Sequence, residues 1–117
     1  MALRSDRTAP FSPATLHILL ALAGENLHGY GIIQEVARYS DGHYRLGPGT
    51  LYDNLKKLMD AGLVADAPRS ADAAEDDRRF YTLTAHGRDA LRMEVDRLED
   101  VVTEARLRLR GRRARRT

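Results

Sequence analysis

Thr50, Tyr52, Lys56 and Lys57 bring a hydroxyl, a phenol and two ammonium groups together on one short stretch of the chain. These groups suit a phosphate backbone and the edges of bases. The stretch that carries them, GPGTLYDNLKKLMDAGLV (Gly47–Val64), reads as a helix with defined ends. Pro48 fits the first helical position, where its missing N–H would be unpaired anyway. Gly62 fits the exit, where a left-handed residue closes the last turn. Leu51, Leu55 and Leu58 are spaced by four and three, so they share one face. Gly49, Asp53, Lys56 and Asp60 fall opposite, with Tyr52 on one flank and Thr50 and Lys57 on the other. The helix therefore buries leucines and shows polar groups outward, as a generic amphipathic helix also would.

Catalytic and metal chemistry find little support. Gly47 and Gly49 form only GPG, without the third glycine of a dinucleotide fingerprint or the lysine of a P-loop. Ser40, Asp41 and His43 are close in sequence, but they form a turn-favouring cluster with no nucleophile elbow. There is no cysteine, and His17, His28, His43 and His86 are scattered. No enzyme activity, metal or cofactor is expected.

A chain of 117 residues makes one domain with a modest core, which association would help to stabilise. The net charge of +2 conceals an asymmetry. Seven arginines lie between Arg106 and Thr117, and residues 1–105 carry a net charge of −5. Basic ends of this kind meet nucleic acid or another anionic surface. The apolar run Ile18–Ala23 is too short to span a bilayer, and the N-terminus has no signal-peptide form, so a cytoplasmic protein is expected.

The elements around Gly47–Val64 follow in order. Residues 1–11 read as a mobile arm. Ser12 and Pro13 form an N-cap and first-position pair, opening a largely apolar helix to about Ala23. Glu25–Gly29 is a connection. A second helix runs from about Gly29 to Tyr39, and HYRL (His43–Leu46) suggests a short extended piece. Helix, helix, short link, helix is the order of a helix-turn-helix. Leu63–Ala67 and Arg79–Leu83 read as two strands flanking the polar segment Pro68–Asp77, giving a wing or a generic surface hairpin. Thr84 then caps a long helix from Ala85 to Arg110, about 39 Å in length. Leu91, Val95, Leu98, Val102, Ala105 and Leu109 recur on it as a heptad seam, which a second copy would bury economically. Gly111 reads as its stop and 111–117 as a disordered basic tail. The expected architecture is mainly α: a winged helix-turn-helix over 12–84 and a dimerisation helix over 85–110.

LHGYGIIQEV (Leu27–Val36), GTLYDNLKKLMDAGLV (Gly49–Val64) and RRFYTLTAHGRDAL (Arg78–Leu91) together resemble the PadR family of bacterial transcriptional regulators, in its short-C-terminal subclass. The resemblance covers roughly residues 12–110. It implies a homodimeric winged-helix repressor that binds a double-stranded DNA operator with its third helix, sometimes released by a small hydrophobic or phenolic effector. By position, Tyr30, Thr50, Tyr52, Lys56, Arg78 and Arg79 match residues of the family's DNA-binding surface, with Lys57 nearer the edge. Leu16, Leu20 and Met93 are candidates to line an effector site. Two features depart from the pattern. Asp72, Glu75, Asp76 and Asp77 place acid in the wing loop, where phosphates would be repelled, and no tryptophan is present. The alternative is a protein-interaction module that uses the seam to bind another chain, which predicts a heterodimer without DNA affinity.

Overall fold

Ser12 and Pro13 begin the first helix as their types predict. The Ser12 hydroxyl accepts from the Thr15 N–H at 3.2 Å, and α1 runs Pro13–Gly24. The computed structural model describes residues 11–68 and 78–116, with side chains described through residue 111. The arm expected at 1–11 lies outside them except for Phe11. That residue packs against the core, and its N–H reaches the Glu94 carboxylate.

Helix α1 is the centre of the molecule, packing against every other helix and the sheet. Ile18, Leu19 and Leu22 are fully buried in it, whereas Leu20 faces outward. Each such aliphatic side chain contributes roughly 1.5–3 kcal/mol through burial. Next comes a strand where a plain connection was expected: β1, Leu27–His28. Two residues are too few to show strand alternation in sequence. The strand exists because β3 offers an edge, pairing Leu27 with Tyr81 and His28 with Phe80. His28 also caps α2 (Gly29–Tyr39), its Nδ1 accepting from the Gly31 N–H at 3.0 Å.

After α2 the chain turns through Asp41 and Gly42, both at positive φ. His43–Leu46 does not join the sheet as an extended piece. It is held by side chains instead. The Ser40 hydroxyl bonds both the N–H and the carbonyl of Tyr44, whose ring stacks on His17 at 4.3 Å. Helix α3, Pro48–Asp60, follows with Pro48 in its first turn and Leu51, Leu55 and Leu58 buried. Gly62, at φ 79°, closes it as expected, and the Leu63 N–H returns to the Leu58 carbonyl at 2.9 Å.

Strands β2 (Val64–Asp66) and β3 (Phe80–Leu83) form the expected antiparallel hairpin, pairing Val64 with Leu83 and Asp66 with Tyr81. With β1 they make a three-stranded sheet in the order β1-β3-β2. The acidic residues Asp72, Glu75, Asp76 and Asp77 lie outside the described residues. Thr84 joins hairpin to last helix. Its hydroxyl accepts from the Gly87 N–H at 2.9 Å and donates to the Gly62 carbonyl at 2.7 Å.

Helix α4 spans Ala85–Arg116, passing through Gly111 rather than stopping there. The helix thus runs on past the boundary expected at 110. A glycine costs a helix about 1 kcal/mol against alanine, which weakens it without ending it. Nor does the seam begin where periodicity alone puts it. Leu91 is buried in its own domain's core. The same face emerges into solvent beyond half-buried Leu98, leaving Val102, Ala105 and Leu109 exposed. Val95, beside it, is also exposed. At 1.5 Å per residue α4 is about 48 Å long, so it outruns the domain that covers its first turns.

Candidate nucleic-acid interface

The outward face of α3 is positioned by its buried leucines and by one side-chain tie to α1. Thr15 Oγ1 donates to Asn54 Oδ1 at 2.9 Å, and Asn54 Nδ2 donates to the Thr50 carbonyl at 2.8 Å. This fixes the rotation of α3 against the central helix. Thr50, Tyr52, Lys56 and Lys57 are all exposed on it, as are Asp53 and Asp60. Lys56 and Lys57 form no ion pair among the described residues. Two cations and two carboxylates nearly cancel here, so this face is better equipped to discriminate between partners than to attract a polyanion.

Tyr52 is brought against the start of α2. A Cβ at Gly29 would stand 2.1 Å from its hydroxyl oxygen and 2.8 Å from Cζ, so only glycine lets the ring lie there undisturbed. Tyr30, the next residue, is 61% exposed, and Tyr52 is 51% exposed. Two phenols from different helices thus share one rim of the surface. Neither Gly29 nor His28 was singled out from sequence. The HGYG motif contained them, but a cap and a close approach become visible only when α2 meets β1 and α3.

The hairpin lies beside the start of α2, because β3 pairs with β1. Arg79 Nε donates to Asp66 Oδ1 at 2.5 Å and Nη2 donates to Oδ2 at 3.2 Å, a two-pronged pair across β2 and β3. The guanidinium lies 5.3 Å from the Tyr81 ring centroid, and Nη2 is 3.8 Å from Sδ of Met59 on α3. The hydrogen bonds from Arg79 hold the Asp66 carboxyl below its ordinary range, while burial pushes the Tyr81 phenol up. Arg78 is exposed beside Arg79.

Leu16, Leu20 and Met93 sit on α1 and α4, which pack together. Leu16 is half-buried, while Leu20 and Met93 are exposed at 37% and 54%. Nearby, Glu94 is the one buried charged side chain among the described residues, bound to Arg97 by two hydrogen bonds of 2.9 Å. Among the described residues no group of three histidines or carboxylates could hold a metal ion, and no helix is long and apolar enough to cross a membrane.

These features have counterparts in known proteins. The family model described as "Transcriptional regulator PadR-like family" matches residues 18–93. The transcriptional regulator Rv3488 of Mycobacterium tuberculosis is 38% identical over 89 residues, covering 76% of this chain and 78% of that protein. A PadR family transcription regulator from Clostridium difficile R20291 superposes with a TM-score of 0.69 at 20% identity, over 84% of this chain and 99% of the other. Bacillus subtilis PadR in complex with operator DNA superposes with a TM-score of 0.58 at 24% identity, over 69% of this chain and 45% of that one. With its family motifs on the capped second helix, the leucine-anchored third helix and the Thr84–Gly87 junction, the chain belongs to the PadR-like family of transcriptional regulators and is not an enzyme.

Proposed function

We propose that this protein is a homodimeric, sequence-specific repressor that places α3 in the major groove of an operator. The observation that carries this reading is the outward face of α3. It is anchored to α1 through Thr15 and Asn54 and bordered by the start of α2, which carries Tyr30, and by the hairpin that carries Arg79. Thr50, Tyr52 and Lys56 face base edges, Lys57 the groove margin, and Arg78 and Arg79 the backbone. Bacillus subtilis PadR, which shares the fold, was solved with operator DNA, and this supports DNA binding as the function. The test is a binding-site selection with wild type and Lys56→Ala. A lysine on phosphate weakens all sequences alike, and a lysine on guanine relaxes one position. No enriched sequence with wild type would refute the reading. In that case the exposed α4 seam points instead to a protein partner.

The dimer is formed by α4, through Val95, Leu98, Val102, Ala105 and Leu109. A small hydrophobic or phenolic effector enters between protomers beside Leu16, Leu20 and Met93 and releases the DNA. A compound screen read by melting temperature and operator release tests it. If no compound moves either, the effector is abandoned.

A further inference from the structure

Asp66 and Arg79 face each other where hairpin and α3 meet, and their arrangement bears on how strongly the protein holds DNA. The guanidinium gives Asp66 the two parallel N–H groups that it would otherwise give a phosphate. Both side chains are more than half exposed, at 59% and 58%, so both remain largely hydrated and the pair is weak. Meanwhile Tyr81 and Met59 hold the arginine at the edge of α3, with its charge directed at Asp66. A duplex lying along α3 would bring its backbone past this edge.

We propose that Asp66 occupies the place of a backbone phosphate on Arg79 and thereby limits the hairpin's contribution to DNA affinity. The proposal rests on the DNA-binding reading above. A phosphate must either displace the carboxylate or approach an arginine whose charge is already matched, and Asp66 weakens binding either way. Asp66→Asn keeps the shape and one acceptor, so Arg79 stays over Tyr81, but it removes the competing charge.

The experiment titrates the full-length protein with its selected operator and with scrambled DNA, between 50 and 200 mM salt. Asp66→Asn is expected to bind both DNAs more tightly by a similar factor, with base preference unchanged. Its plot of log affinity against log salt should steepen by about 0.9 per protomer, equivalent to about 3.5-fold more loss across that salt range. Asp66→Glu, which keeps the charge, should retain the wild-type slope, and combining Asp66→Asn with Arg79→Gln should abolish the gain. An unchanged slope in Asp66→Asn, weaker binding, or an equal gain in Asp66→Glu overturns the proposal and leaves the pair as a clamp for the hairpin. If wild type binds an operator while Asp66→Asn behaves identically, only this inference falls. If wild type binds no DNA, both readings fall.

Discussion

Gly29→Ala separates the interface from the fold. The added Cβ would meet Tyr52 Oη at 2.1 Å, Cζ at 2.8 Å and Cε1 at 3.2 Å. All three atoms belong to the far end of a half-exposed side chain, so the ring can swing out. An off-rotamer ring costs about 0.5–1.5 kcal/mol. Gly29 is not at positive φ, so alanine's smaller freedom in the unfolded chain returns roughly 0.4–1 kcal/mol. The net change in stability should stay within about 1 kcal/mol, a melting shift of at most roughly 4–8 °C for a domain of this size. Binding should suffer more visibly, because the displaced phenol loses a hydrogen bond worth about 0.5–1.5 kcal/mol, or roughly 2- to 10-fold in affinity. Gly87→Ala is the control. There the Cβ would meet the backbone oxygen of Leu63 at 2.0 Å, and that oxygen already accepts from the Thr84 N–H at 3.1 Å. Nothing flexible can yield, so overpacking of about 1–3 kcal/mol or more is expected. Urea denaturation and operator titration of both variants decide the matter. Gly29→Ala unfolding as readily as Gly87→Ala would refute the steric argument, and wild-type affinity in Gly29→Ala would remove Tyr52 from the interface.

Two further outcomes are expected. Val102→Asp places a charge on a position that is 48% exposed in the single chain, so the fold should survive while sedimentation shifts from dimer to monomer; a persistent dimer would show that α4 does not form the interface. Burial holds the His17 imidazole below its ordinary pKa, so the unfolded chain takes up a proton that the native state resists. Stability from this source is complete above about pH 6.5 and is lost as pH falls through the lowered native value. His17→Gln should therefore flatten the decline in melting temperature between pH 7.5 and 5; a parallel decline would exclude His17 as the cause.

Elements governed by short-range rules were legible in the sequence. Ser12–Pro13, Pro48, Gly62 and Thr84 each mark a helix end through a cap or a φ preference acting within a few residues. The leucine triplet of α3 announced its buried face because the helical period is local too. Two features depend on more than a local rule. Leu27 and His28 are a strand only because Phe80 and Tyr81 pair with them from more than fifty residues away. Gly111 does not stop α4, because its cost as a helical residue is small beside a long run of helix-forming neighbours.

The site divides along the same line. Residue types on α3 could be assigned to its outer face from a helical wheel, and Thr50, Tyr52, Lys56 and Lys57 are indeed exposed there. Their partners could not. Asp66 and Arg79 pair because β2 and β3 meet in one register, with Asp66 opposite Tyr81. The polar segment between the strands has no period from which that register can be read. A slip of one residue would turn Asp66 to the other face of the sheet and leave Arg79 facing solvent. The heptad seam shows the same limit. Periodicity places Leu91 with Leu98 and Leu109 on one stripe, but only the size of the domain beneath decides where the stripe ceases to be core and becomes surface. That boundary falls at Leu98, and the apolar residues Val102, Ala105 and Leu109 beyond it are exposed on the single chain.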